Sequence, residues 1–583
     1  MRNRGMFLKW VLFAVVACVG PSAYSQQGGA QAAPKAATSS KPMHAGPSAV
    51  TITLLSTTDS HGHLAAWDYY ADKAVPNGLT KMATLVKEQR AEAPHALLFD
   101  CGDTTQGTPL VYYFAKKDAA KPNPAIAAFN AMHYDAMAVG NHEFNFGLDS
   151  MWKAKRESHF PWLAANLKEI YTAGTAYIPP YVIRNVDGVR VGIIGFITPG
   201  VPRWEIPDHY RGYEFESIVE TAKKIVPVVR RKADLVVVIM HSGLDRDPKT
   251  GEAYGSLDIR DENAAWELAD DVPDIDMIFY GHTHQEMPEL MIHGVLLSQA
   301  KNWGGSLARA DIKMQRDAAG TWKIVSKHSR TIAATESVAE DSAIARIVAP
   351  YHQATEKYLD TPIATSAKAL DGLTARYIDN PLVDLIHRVQ LDAGHADVSM
   401  ATMFFPGVKI PEGPVTVRQL AALYVYENTL YTVEMTGAQL KDALEHAASF
   451  YSGWPLAEGQ KEKLPGYNAD SAEGVSYVID LAQPVGERIR NLAYKGAALD
   501  PGRKLRVAIN NYRYTGGGGY SVYKDLPIFE RSSDEIRELI IDYLARTKTI
   551  PTEADGNWKI EPREALDAIL KAAQEESAER STR

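Results

Sequence analysis

Cysteine is almost absent from this chain: Cys18 and Cys101 are the only two among 583 residues. If a leader carrying Cys18 is removed, no internal disulfide can form, and stability falls to core size, with bound metal as the other candidate. An excess of positive charge is also lacking. Lys and Arg number 62 against 71 Asp and Glu, a net charge of −9. That argues against a nucleic-acid polymer as partner, which needs a basic face. Small nucleotides remain open, because metals can meet their phosphates. No repeat of solenoid length is found. Beyond the N-terminus, no apolar run reaches the length of a transmembrane helix.

The N-terminus reads as an export signal. Arg2, Arg4 and Lys9 precede "WVLFAVVACVG", and "AYS" before Gln26 offers the small residues of a cleavage site. "VVAC" is the alternative, a lipoprotein box with Cys18 as the lipidated residue. Residues 1–25 are thus expected to be a signal peptide and 26–47, rich in Gly, Ala, Ser and Pro, a flexible linker. The expected location is periplasmic or extracellular, either free or lipid-anchored. From about residue 50, short apolar runs alternate with helical spacing. "AVTITLLST", "HALLFD", "DAMAVG", "RVGIIGFIT", "ADLVVVIMHS" and "DMIFYGH" predict buried strands. "LTKMATLVKEQRAE", "NPAIAAFNAMHY" and "FESIVETAKKIVPVVRRKA" predict helices. Such alternation predicts an α/β domain over 48–335. A charged helical connector is expected over 336–361, an α+β domain over 362–560, and a solvated charged helix over 561–583.

Five polar clusters share one address. "TTDSHGH", "CGDTTQG", "GNHEFNFG", "MHSGL" and "GHTHQ" each follow a predicted strand. In an open α/β sheet the loops beyond the carboxyl ends of strands form the ligand crevice. Asp59, His61, Asp103, Asn141, His142, His241, His282 and His284 should therefore meet. A lone His at a strand end is usually a packed core residue, and a lone Asp–Gly is usually a turn. Five such clusters at matching strand ends are neither. Two carboxylates, a carboxamide and five imidazoles suit two divalent cations of borderline hardness; zinc, manganese, cobalt and iron all fit. A metal pair suits phosphoester hydrolysis, because it acidifies water and neutralises phosphoryl oxygens. His63 is left outside this shell, and Cys101 reads as a packed small hydrophobe.

"DSH", "GDTTQG", "GNHE", "MHSG" and "GHTH" resemble the ordered signature of the calcineurin-like metallophosphoesterases. That resemblance implies a four-layer β-sandwich flanked by helices, rather than the single open sheet that alternation alone suggests. "GPVTVRQLAALYVYENTLYTVEMTGAQLKDALEHA" and "AINNYRYTGGGGY" resemble the C-terminal nucleotide-binding domain of exported 5′-nucleotidases and 2′,3′-cyclic-nucleotide phosphodiesterases. The resemblance implies that Asp59, His61, Asp103 and His284 hold one metal. Asp103 would bridge to a second, held with Asn141, His241 and His282. His142 would be catalytic, stabilising the phosphoryl group or protonating the leaving oxygen. Tyr426 and Tyr512 would grip the two faces of a nucleobase, with Tyr424, Tyr514 and Tyr520 as competitors.

The chain also departs from the 5′-nucleotidase pattern. Where that branch carries a Gly-rich stretch with an Arg for the terminal phosphate, this chain has "MATMFFPGVKIPEGPVT", with Phe404 and Phe405. Where an Asp often follows the catalytic His by three residues, this chain has Asn145, a neutral partner that does not raise the imidazole pKa. A phosphodiester carries one fewer negative charge than a terminal monoester and needs fewer arginines. The reading is therefore hydrolysis of 2′,3′-cyclic nucleotides and then of 3′-monophosphates. 5′-Nucleotidase activity is the alternative. A thiosulfate-ester hydrolase with the same metal motifs and a non-catalytic nucleotide-binding surface protein are the remaining rivals.

Overall fold

The five motif-bearing strands are Ala49–Thr57 (β1), Leu97–Asp100 (β2), Ala136–Ala138 (β3), Leu235–His241 (β4) and Met277–Tyr280 (β5). They belong to two sheets, not one. In the computed structural model, which describes residues 48–170, 177–254, 259–426, 428–455 and 465–582, β1, β2 and β3 are adjacent and parallel in a six-stranded sheet. β4 and β5 are parallel neighbours in a second sheet of six. The signal peptide, the linker and Cys18 lie outside the described residues.

Burial explains the pairing. Every residue of β4 is buried. Its Leu235, Val237 and Ile239 meet Ile52, Leu54 and Phe99 in a core between the sheets. Val236, Val238 and Met240 face the opposite way, against the helices Ile218–Arg230 and Ala265–Asp271. The run "LVVVIMH" therefore shows no alternation, because both of its faces are covered. On the first sheet, Leu55, Leu98 and Met137 pack against the helices Leu79–Glu92 (α1) and Pro124–Met132 (α2). The order is helix, sheet, sheet, helix. α2 starts where Asn123 Oδ1 accepts the amides of Ala125 and Ile126, with Pro124 at the first helical position.

The connector contains the helix Ser342–Leu359 (α3), capped by Asp341. It buries Ile344, Val348, Thr355 and Leu359, and its Tyr351 ring meets Phe114 at 4.7 Å. Arg418, from the C-terminal half, reaches Glu356 at 3.1 Å and Asp360 at 2.8 Å. That half is built on a five-stranded sheet ordered Ser471–Glu473, Val398–Ala401, Lys504–Asn510, Thr429–Thr436, Ile528–Glu535. The helices Pro381–Ala393 (α4) and Gly437–Ala448 (α5) contribute to the cores that meet its residues. The C-terminal helix Arg563–Thr582 is not wholly solvated at its start: Ala565 and Leu566 are buried in the C-terminal core. None of the described helices is long and apolar enough to cross a membrane.

Candidate active site

The loops beyond the five strands are stitched together by backbone. Asp59 N donates to Gly102 O at 3.0 Å and His61 N to Asp103 O at 2.8 Å, which zips the loop after β1 to the loop after β2. Five of the expected site residues sit at positive φ: Asp59 at 48°, His61 at 44°, Asp103 at 59°, His282 at 76° and His284 at 56°. The left-handed region is costly for a side chain with a Cβ and persists where surroundings enforce it. Here it turns acids and imidazoles from two sheets toward one point.

Asp103 is at that point. Its Oδ2 lies 2.8 Å from His241 Nε2 and 3.8 Å from Nε2 of both His61 and His142. His284 Nε2 is 3.5 Å from Asp59 Oδ1 and 3.0 Å from His61 Nε2. His282 Nδ1 is 3.3 Å from His241 Nε2. Asp59, His61 and His284 form one cluster of converging ligand atoms, and Asp103, His241 and His282 another. A third cluster, His61, Asp103 and His142, joins the two through Asp103 and brings His142, expected outside the metal shell, against the same carboxylate. Asn141 Oδ1 is buried and has no hydrogen-bond partner, as an oxygen reserved for a ligand would be.

The electrostatics describe a site short of positive charge. Burial would lower His241, but the Asp103 carboxylate beside it outweighs burial and raises it to about 10. Burial first, then the neighbouring His142 and His284 imidazoles, drive His61 down to about 3 against the pull of Asp103. Burial would also raise Asp59 and Asp103, yet neighbouring imidazoles hold both below the ordinary carboxylate range. An imidazole proton on His241 thus stands where a cation suits the donor set. His241 Nδ1 lies 2.8 Å from Cys101 O, which leaves Nε2 for the cage.

Sequence reasoning missed several supports. Glu143 is buried and accepts backbone amides from Asp103, Thr104, Thr105 and Gly140 at 2.8–3.1 Å. "GNHE" carried that signal in its last letter. Asn145 Oδ1 lies 2.5 Å from His142 Nδ1. Its Nδ2 donates to Glu205 Oε1 at 2.7 Å, and Glu205 Oε2 is 2.7 Å from His209 Nδ1. A carboxylate is therefore present behind His142, one amide further out, and sixty residues away in the chain. The Trp204 ring lies 5.5 Å from that of His282. His63 stacks on Trp303 at 4.8 Å and joins neither cluster. Cys101 is fully buried, and burial pushes its thiol up.

In the C-terminal half, Tyr426 and Tyr512 are 49% and 41% exposed, Tyr424 and Tyr520 are 0% exposed, and Tyr514 is half-buried with its hydroxyl donating to Leu526 O at 3.2 Å. Phe404 stands edge-on to Tyr426 at 5.0 Å. The stretch without an Arg receives one from outside: Arg376 donates to Met403 O at 2.8 Å and Phe404 O at 2.7 Å. Asn511, beside Tyr512, donates to Trp204 O at 3.0 Å.

Residues 52–286 match the family model described as calcineurin-like phosphoesterase, and residues 362–525 match the 5′-nucleotidase C-terminal domain. The chain belongs to this two-part family. It is a hydrolase of phosphate esters, and the family implies divalent metal ions. The chain is 31% identical to a 2′,3′-cyclic-nucleotide 2′-phosphodiesterase/3′-nucleotidase of Haemophilus influenzae, over 92% of each. It is 30% identical to a trifunctional nucleotide phosphoesterase of Bacillus subtilis over 89% of its own length, but spans only 40% of that longer protein. A Staphylococcus aureus structure described as a candidate 5′-nucleotidase, in complex with alpha-ketoglutarate, aligns with a TM-score of 0.74 at 26% identity. The match covers 88% of this chain and all of that one.

Proposed function

We propose that this metallophosphoesterase hydrolyses 2′,3′-cyclic nucleotides and 3′-nucleotides outside the cytoplasm, in nucleotide salvage. Asp59, His61, Asp103 and His284 hold one divalent ion; Asp103, Asn141, His241 and His282 hold the other. The orphaned Asn141 Oδ1 and the mixed nitrogen and oxygen donors fit zinc, manganese, cobalt or iron. Bound there, the ions would supply an activated water and neutralise phosphoryl charge. Tyr426 and Tyr512 orient the base. Asn145 Oδ1 accepts the Nδ1 proton, so His142 would stabilise the phosphoryl group or, as the imidazolium, protonate the leaving oxygen from Nε2.

The observation that carries the nucleotide assignment is the half-exposed pair Tyr426 and Tyr512, of which Tyr512 adjoins Asn511, bonded to Trp204 O, and the Trp204 ring lies 5.5 Å from His282. The name of the Haemophilus relative supports the cyclic and 3′ preference. Base and phosphate are gripped by different domains, so relative motion about residues 336–361 gates turnover.

Steady-state kcat/KM on 2′,3′-cyclic AMP, 3′-AMP and 5′-AMP tests the reading, with manganese, zinc or cobalt supplied. The expected order is cyclic, then 3′, then 5′. A higher value for 5′-AMP overturns the preference. Tyr426→Ala and Tyr512→Ala should each raise KM about 5- to 100-fold for nucleotides, the worth of one stacking face. Hydrolysis of bis-p-nitrophenyl phosphate, which has no base, should be unchanged.

A further inference from the structure

Four carboxylates from three separate segments meet in the C-terminal half, and none belongs to the cage or the tyrosine pair. Asp379 precedes α4 and Asp384 lies in its first turn. Glu473 ends the strand Ser471–Glu473. Asp555 lies before the strand Trp558–Glu561. Asp379, Asp384 and Asp555 each offer an oxygen, and these three oxygens lie within 4.8 Å of one another. Asn557 Nδ2 donates to Glu473 Oε2 at 3.2 Å, while Asn557 N donates to Asp555 Oδ1 at 3.1 Å, so the fourth acid sits at the rim.

Among the described residues no cationic side chain balances this charge: no Lys, Arg or His forms an ion pair with any of the four. Asp379 Oδ2 accepts one amide, from Gly556 at 2.6 Å. Asp384 is only 7% exposed, and its Oδ2 is buried without a hydrogen-bond partner. Burial, then the charges of Asp379, Asp555 and Glu473, raise Asp384 to about 8. A buried, unpartnered carboxylate facing other carboxylates needs either a shared proton or a cation.

The Asp379 and Asp384 carboxyls lie within hydrogen-bonding reach of each other and could share a proton; for a cation, the donor set names the kind. All donors are oxygens, the chemistry of a hard cation, and no imidazole is present to suit a transition metal. Two oxygens on opposite sides of a calcium ion, each about 2.4 Å away, are about 4.8 Å apart. Asp555 is exposed and leaves the cluster open to solvent, so water can complete a shell of six to eight. We propose that Asp379, Asp384 and Asp555, with Glu473 at the rim, form a calcium site that ties the start of α4 to the loop before Trp558. The site is independent of the catalytic reading and acts on stability rather than on turnover.

The full-length enzyme, stripped of metal and resupplied with manganese, is titrated with calcium and followed by equilibrium dialysis and by Tm. One calcium per chain beyond the manganese is expected, with Tm rising by several degrees at millimolar calcium through mass action. Terbium should bind at the same place and be sensitised by Trp558, whose ring stacks on Tyr477 at 6.3 Å. Asp379→Asn/Asp384→Asn should abolish the calcium, the Tm response and the terbium signal, leaving kcat on 2′,3′-cyclic AMP within about twofold, as for substitutions away from reacting groups. Should that buried pair fail to fold, the exposed Asp555→Asn should weaken calcium binding at least about tenfold, the loss of one charged ligand. Wild-type protein that takes up no additional calcium overturns the site. So does calcium uptake that survives these substitutions, or a cluster stabilised by acid alone, which would mark a shared proton.

Discussion

At the scale of single residues, the site's least expected member is Glu205. It is 9% exposed and stands two hydrogen bonds from His142, through Asn145. Asn145 can receive the His142 Nδ1 proton on its Oδ1 only if its Nδ2 is turned outward, and Glu205 is what holds it there. Glu205 is thus a positioning residue. Glu205→Gln keeps an oxygen for Asn145 but removes the charge; kcat should fall about 10-fold with KM nearly constant, a modest fraction of a general-acid contribution. Placing the carboxylate next to the imidazole, in Asn145→Asp/Glu205→Gln, should recover most of that loss. His142→Ala should lower kcat about 100- to 10,000-fold while the metal content stays at the wild-type level. Equal losses in the single and double variants would show that Glu205 serves only the fold.

At the scale of elements, the loops after the strands matter more than the strands. Gly140, between β3 and Asn141, shows why. A Cβ there would lie 2.2 Å from Asp103 Oδ1 and 2.4 Å from Asp103 N. Neither the carboxylate nor the backbone can yield without opening the cage, so Gly140→Ala should cost both ions and about 2 kcal/mol or more of stability. Gly502→Ala, whose nearest neighbour is 3.7 Å away, should be neutral. Metal analysis and denaturant midpoints distinguish the two; a fully loaded Gly140→Ala enzyme would contradict the tight packing. The same loops explain what could be read in advance. Strands such as β4 are legible because their residues are apolar and β-branched. The cage was legible because its His and Asp follow those strands. Two sheets instead of one were not legible from periodicity, since a strand covered on both faces looks alike in either arrangement. Glu205 was not legible because its partner is sixty residues away, and no local pattern records that contact. Arg376 escaped notice for the same reason: it enters the Phe404 stretch from 27 residues upstream.

At the scale of the whole molecule, the arrangement brings the segment that carries Tyr512 onto the metallophosphoesterase domain. Beside the apolar core that runs through α3 and takes in residues of both halves, polar contacts also cross between them: Asn511 to Trp204 O at 3.0 Å, Lys117 to Glu538 at 2.9 Å and Arg537 to Tyr70 at 3.0 Å. Such contacts exchange with water at little net cost, on the order of 1 kcal/mol each. The gating proposed above would open these polar contacts while the apolar core around α3 stays intact as the pivot. Asn511 is the contact to break, because its side chain bonds the turn that carries Glu205 directly to the neighbour of Tyr512. Asn511→Asp keeps the Oδ1 that accepts Thr429 N at 3.1 Å, but sets a carboxylate against Trp204 O. The open form should gain about fivefold in population, from the loss of one hydrogen bond. Small-angle scattering should then show a larger radius of gyration without ligand, which 3′-AMP reverses. kcat/KM should fall in proportion to the closed fraction lost, by at most about fivefold, with the metal content unchanged. Scattering and kinetics both identical to wild type would mean that the domains do not move during turnover, and that Asn511 merely decorates a fixed cleft.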